Sequence, residues 1–115
     1  MPSAKTSKIP LAKLELYEKL VATIPAIDRK GAVHPYTSEN GHMFTYLDQT
    51  GTLGIRLPKD ELEAFLKKYK TSLFKSYGVV KKDWVTVPDT LLRNTNELKK
   101  YLEISYKFVG TLKPK

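Results

Sequence analysis

The chain has 115 residues, 20 of them basic and 12 acidic, for a formal net charge of +8, and it contains no cysteine. That length suits one domain able to hide roughly two thirds of its unfolded surface, so a single core suffices without a metal or disulfide staple. The lack of cysteine excludes a disulfide framework, a thiol nucleophile and Cys-ligated zinc or iron–sulfur centres, while the charge balance makes polyanions candidate partners.

Residues 1–8 read as a loose basic tail, with the remainder, 9–115, as one domain. The start carries basic residues but no apolar run behind them, so no secretory signal is expected. No run approaches the ~20 apolar residues of a membrane span. A cytoplasmic protein without a membrane partner is the expectation.

Pro10 suits the first position of a helix, where its missing N–H costs nothing. Leu14, Tyr17, Val21 and Ile24 then recur at helical spacing until Pro25. Ile27 to His34 reads as a first strand, stopped before Pro35. Asn40-Gly41 is a turn signal leading into the next strand.

Gly41 to Leu57 reads as a β-hairpin. Leu53, Ile55 and Leu57 alternate with Thr52, Gly54 and Arg56, the period of a half-buried strand. A three-residue bulged turn over Gln49-Thr50-Gly51 sets Tyr46 opposite Gly54 and Phe44 opposite Arg56. An even-numbered loop would instead turn Phe44 and Tyr46 to the side of Ile55 and Leu53. The first register makes good cross-strand pairs, an aromatic over a glycine and another over a guanidinium, and is preferred; the sequence alone leaves both open.

Pro58-Lys59-Asp60-Glu61 places a proline and two acids in a helix's first turn. Leu62, Phe65, Leu66 and Tyr69 form its apolar stripe, with Lys67, Lys68 and Lys70 near its end. A basic connector through Lys75, Gly78, Lys81 and Lys82 follows. Trp84 to Val87 is a short strand closed by Pro88-Asp89. Asn94 and Glu97 stand three apart, a variant capping box, and open a last helix running to about Leu112. Its buried face is expected to hold Leu98, Tyr101, Leu102, Ser105, Val109 and Leu112. The order α-β-β-β-α-β-α predicts an α+β fold, a single two-layer domain with helices against an antiparallel sheet.

The pairs Met43–Leu47 and Thr52–Leu57, with Phe74-Lys75-Ser76-Tyr77-Gly78, Val87-Pro88-Asp89-Thr90-Leu91-Leu92 and Asn96-Glu97-Leu98, resemble the N-terminal domain of TfoX-type competence regulators. Ser105-Tyr106-Lys107-Phe108-Val109 and Trp84-Val85-Thr86-Val87 are also similar to the MmcQ/YjbR group, a related small α/β fold. The resemblance covers roughly residues 40–112. It implies a fold and a regulatory or nucleic-acid-contacting role. The TfoX regulators carry a second domain that this sequence does not show, so their role in competence is not carried over.

Catalysis is not expected. Gly51-Thr52-Leu53-Gly54 lacks the spacing of a phosphate loop. His34 and His42 are the only histidines, and a metal would need a third ligand, with Asp48 or Glu39 nearest in sequence. Ser105 has no identifiable base, and no cofactor is expected. Two classes of function remain. One is a binding module for nucleic acid or another polyanion, its candidates Arg29, Lys30, Arg56, Lys67, Lys68, Lys81 and Lys82, with Tyr36 or Phe44 as exposed stacking aromatics. Between Pro58 and Lys82 seven lysines face three acids, an excess of four. Arginines number only three, Arg29, Arg56 and Arg93, which favours phosphate contact over base reading. The other is a protein–protein or self-association domain using the sheet face near Phe44 and Tyr46.

Overall fold

The computed structural model describes residues 9–31, 35–76 and 78–114. In chain order these form α1 (Leu11–Val21), β1 (Tyr36–Glu39), β2 (His42–Leu47), β3 (Leu53–Arg56), α2 (Lys59–Tyr69), β4 (Leu73–Ser76), β5 (Val79–Val87), α3 (Asp89–Leu92) and α4 (Thr95–Gly110). The strands make one antiparallel sheet in the order β1-β2-β3-β5-β4. The fold is α+β, as the alternation of the two periodicities predicts.

The hairpin between β2 and β3 takes the three-residue turn. Tyr46 pairs with Gly54 and Thr45 with Ile55. Gly51 supplies the positive φ, at 86°, and its N–H reaches the Asp48 carbonyl at 3.0 Å. The Asp48 carboxylate accepts from the N–H groups of Thr50 and Thr52, at 2.9 and 3.0 Å, so one residue holds the turn from within.

Alternation along β2, β3 and β5 sends Leu47, Leu53, Ile55, Val85 and Val87 to one face, where they join Leu20, Phe65, Leu98 and Leu102 in the main core. At its centre Tyr17 is wholly buried. Its hydroxyl lies 2.7 Å from Thr45 Oγ1, which lies 2.6 Å from Thr37 Oγ1. Three buried hydroxyls thus satisfy one another between helix and sheet. Burial holds the Tyr17 phenol well above its ordinary pKa, because the phenolate would have to give up water.

Three elements differ from the expectation. The first strand falls after Pro35, not before it. Residues 27–29 form no strand, Lys30 makes an isolated bridge to Tyr36, and 32–34 lie outside the described residues. Ser38 and Glu39, placed in the connection by the sequence, end β1 instead, while Asn40 and Gly41, both at positive φ (60° and 82°), make the tight turn that lets β1 fold back on β2. The basic connector after α2 is itself a hairpin, β4–β5, and Pro88 opens the short helix α3. The buried stripe of α4 is Leu98, Leu102, Ser105 and Val109, with Tyr101 and Leu112 half-buried. Asn94 caps α4, its side chain accepting from the Glu97 N–H at 3.2 Å. The expected tail, 1–8, lies outside the described residues.

Candidate functional site

β5 outruns β3. Their pairing ends at Arg56 opposite Trp84, with one further bond from the Leu57 N–H to the Asp83 carbonyl at 2.9 Å. Beyond it, β4 is the strand against which β5 continues. The β4–β5 register slips there: Leu73 faces Val85, but Lys75 faces Val80 and Ser76 faces Val79. Two steps along β4 are therefore matched by five along β5. The surplus residues bulge, as they do where a strand bends at a sheet edge. Val79 through Asp83 are all exposed, and so is Lys75.

The result is a short basic arm. Its tip carries Val79 and Val80, 57% and 48% exposed, beside Lys75; its base carries Lys81 and Lys82. Gly78, at φ 77°, has open space around it. No ion pair joins Lys75, Lys81 or Lys82 to another described residue. Phe74 anchors the arm's root. It is buried outside the main core, on the opposite sheet face, with its ring directly over Gly54. Tyr46 meets it edge-on at 6.1 Å and Trp84 lies 6.1 Å away.

The remaining candidates are dispersed and mostly engaged. Arg29 pairs with Glu18 and donates to the Gly31 carbonyl. Lys30 donates to Ser38 Oγ at 3.0 Å, near the β1 edge. Arg56 lies 3.4 Å from Asp83 and 5.7 Å from the Phe108 ring centroid, turning its charge to the protein's own aromatic and carboxylate. Lys67 is exposed on α2. Lys68 pairs with Glu97 at 3.3 Å. The Tyr69 hydroxyl also donates to Glu97, at 2.6 Å, and the Tyr101 hydroxyl lies 3.1 Å from it. That hydrogen bond, with Lys68 behind it, holds the Glu97 carboxyl below its usual range, and Glu97 holds Lys68 above its own. Loss of water holds the Tyr69 phenol up.

The sheet face around Phe44 and Tyr46 is not open. Phe44 is fully buried, its ring 5.8 Å from that of Tyr106 on α4, and Tyr46 is half-buried against Phe74. Phe44 is thus closed to stacking and to docking, because α4 crosses here: Ser105 donates to the Arg56 carbonyl and lies 3.4 Å from that of Phe44. This is the role of the buried serine. His42 Nε2 lies 2.8 Å from the Lys113 carbonyl, His34 lies outside the described residues, and among those described no three metal-ligating side chains gather.

Sequence reasoning passed over Val79 and Val80. Two adjacent valines after Gly78 were the available signal, but in a loop they read as nothing. It also passed over an open, polar groove of about 500 Å³ between α1, α3 and the start of α4, bordered by Lys19, Thr23, Thr90 and Arg93. Comparison of the chain with family models, curated proteins and solved structures finds no match. No described helix is long and apolar enough to cross a membrane.

Proposed function

We propose that this chain is a non-catalytic binding module that contacts a polyanion, nucleic acid in the first place, through the lysines of the β4–β5 arm. One observation carries this. Lys75, Lys81 and Lys82 stand exposed together on an arm where no described carboxylate pairs with them, whereas Arg29, Arg56 and Lys68 are each neutralised by a carboxylate of the protein. Asp83, the acid nearest the arm's lysines in sequence, is paired with Arg56. The resemblance to the TfoX N-terminal domain points the same way, towards a regulatory role.

Lysine is a mobile point charge and suits phosphate contact without base reading. Titrating labelled DNA and RNA at low and near-physiological salt tests the proposal. Each phosphate neutralised on duplex DNA contributes about 0.9 to the log–log salt slope. Lys81→Gln with Lys82→Gln is expected to flatten the slope by about two units while leaving the melting curve in place, since both side chains face water. No binding at low salt, or binding indifferent to salt and to both substitutions, overturns it.

A further inference from the structure

Resting on that reading, we infer that the partner is a single-stranded nucleic acid, its bases stacked on an aromatic row across the sheet and its phosphates held by lysines at the row's two ends. Strand register builds the row. Tyr36 pairs with Tyr46, Tyr46 with Gly54 and Gly54 with Thr86, across β1, β2, β3 and β5. All turn away from the main core, because side chains alternate along a strand and their neighbours Thr37, Thr45, Ile55 and Val85 are the buried ones. Trp84 stands two residues from Thr86 on the same face, and the ring of Phe74 fills the gap that Gly54 leaves. Tyr46 and Trp84 flank that ring, each 6.1 Å from it. Phe44, which the β1–β2 register skips, is turned to α4 and takes no part.

Phe74 is covered, whereas Tyr36, Tyr46 and Trp84 are each half-buried, so neighbours hold them while part of each ring stays accessible. Cations stand at both ends. Lys30 bridges to Tyr36 at the β1 edge and reaches Ser38 Oγ at 3.0 Å. Lys81 and Lys82 precede Trp84 in β5 and are exposed. None of the three is ion-paired to a described residue. Sites for single strands combine these two features, rings for the bases and a cationic track for the backbone. Spacing narrows the partner. In a stacked duplex, bases follow one another at about 3.4 Å along each strand. Successive rings here stand 6.1 Å apart, so bases resting on them are splayed, which a single strand allows and a duplex does not.

Trp84 is the chain's one tryptophan, so its emission reports on the row in the unaltered protein. Four probes are titrated at low salt: oligothymidine, oligouridine, an abasic DNA strand of the same length and a DNA duplex. The base-bearing strands are expected to bind about tenfold more tightly than the abasic strand and the duplex and to quench Trp84; the tighter of the two assigns the sugar. The abasic strand should leave the emission unchanged. Tyr36→Leu and Trp84→Leu, each checked by a thermal melt, should weaken binding of the tighter strand about tenfold without altering the salt slope, because no charge is removed. Lys30→Gln should do the reverse, flattening the slope by about 0.7, the share of one phosphate on a single strand, although β1 lies across the sheet from the arm.

An abasic strand or a duplex that binds as tightly as the base-bearing strands overturns the inference. So does a bound complex with undiminished Trp84 emission, or a slope indifferent to Lys30→Gln. Should Trp84→Leu abolish self-association in sedimentation while leaving nucleic-acid binding intact, the row joins two copies and the inference also falls. In each of these cases salt-dependent binding through the arm survives and with it the broader proposal, which Lys81→Gln with Lys82→Gln tests separately. Absence of binding to any of the four probes at low salt removes both.

Discussion

Gly54 shows how much one missing methyl group can decide. It sits in β3 opposite Tyr46 and Thr86, and a Cβ built there would lie 2.6 Å from Phe74 Cγ and Cδ2. The ring of Phe74 needs the bare backbone beneath it. Gly54→Ala is expected to cost about 1–3 kcal/mol, the range of overpacked cores, read as a lowered denaturant midpoint. Adding Phe74→Leu should recover part of the loss if the clash is the cause. The aromatic-over-glycine pairing was legible in the sequence as Tyr46 over Gly54. That Phe74, twenty residues on, takes the same seat was not, because a ring's destination across a sheet depends on which strands become neighbours.

Helices were easier to read than strands for a physical reason. The stripes of α2 and α4 repeat within each segment, and the Asn94 cap is local, so both are written in short stretches. Asn94→Ala should lower stability by about 0.5–2 kcal/mol by orphaning the Glu97 N–H, with the fold otherwise kept; an unchanged melting curve would mean that the cap contributes nothing. The first strand and β4 escaped because neither has an internal pattern. Tyr36–Glu39 is polar and four residues long, and Leu73–Ser76 is equally short; each exists because a neighbour supplies hydrogen bonds. The lysine excess of the arm was visible in the sequence. Which cations stay unpaired was not, since Arg56 meets Asp83 and Lys68 meets Glu97 only once the sheet and helices have assembled.

At the scale of the whole molecule, two phenols tie stability to pH. Tyr17 and Tyr69 both keep their protons in the folded chain above the ordinary value, whereas the unfolded chain releases them near pH 10. The folded state therefore binds more protons above that pH. The stability this confers is complete below about pH 10 and is lost as pH rises further. Denaturant midpoints should fall steeply across that range, and less steeply in Tyr17→Phe. At neutral pH that substitution should cost about 1 kcal/mol, Thr45 retaining Thr37. The core itself is tested by Leu53→Ala, a wholly buried residue, expected to cost about 2–5 kcal/mol. A longer-range tie sits at the opposite end of the chain. The Asn40 side-chain amide donates to the carbonyls of Val109 and Leu112, at 3.1 and 2.7 Å, and so closes the last turn of α4 with a residue from a hairpin made some seventy positions earlier. Synthesis runs from the amino end, so on the ribosome that hairpin turn emerges long before the carbonyls it will hold. The sheet can begin to pair while its lock is still unmade, and that lock closes only when the end of α4 has cleared the exit tunnel.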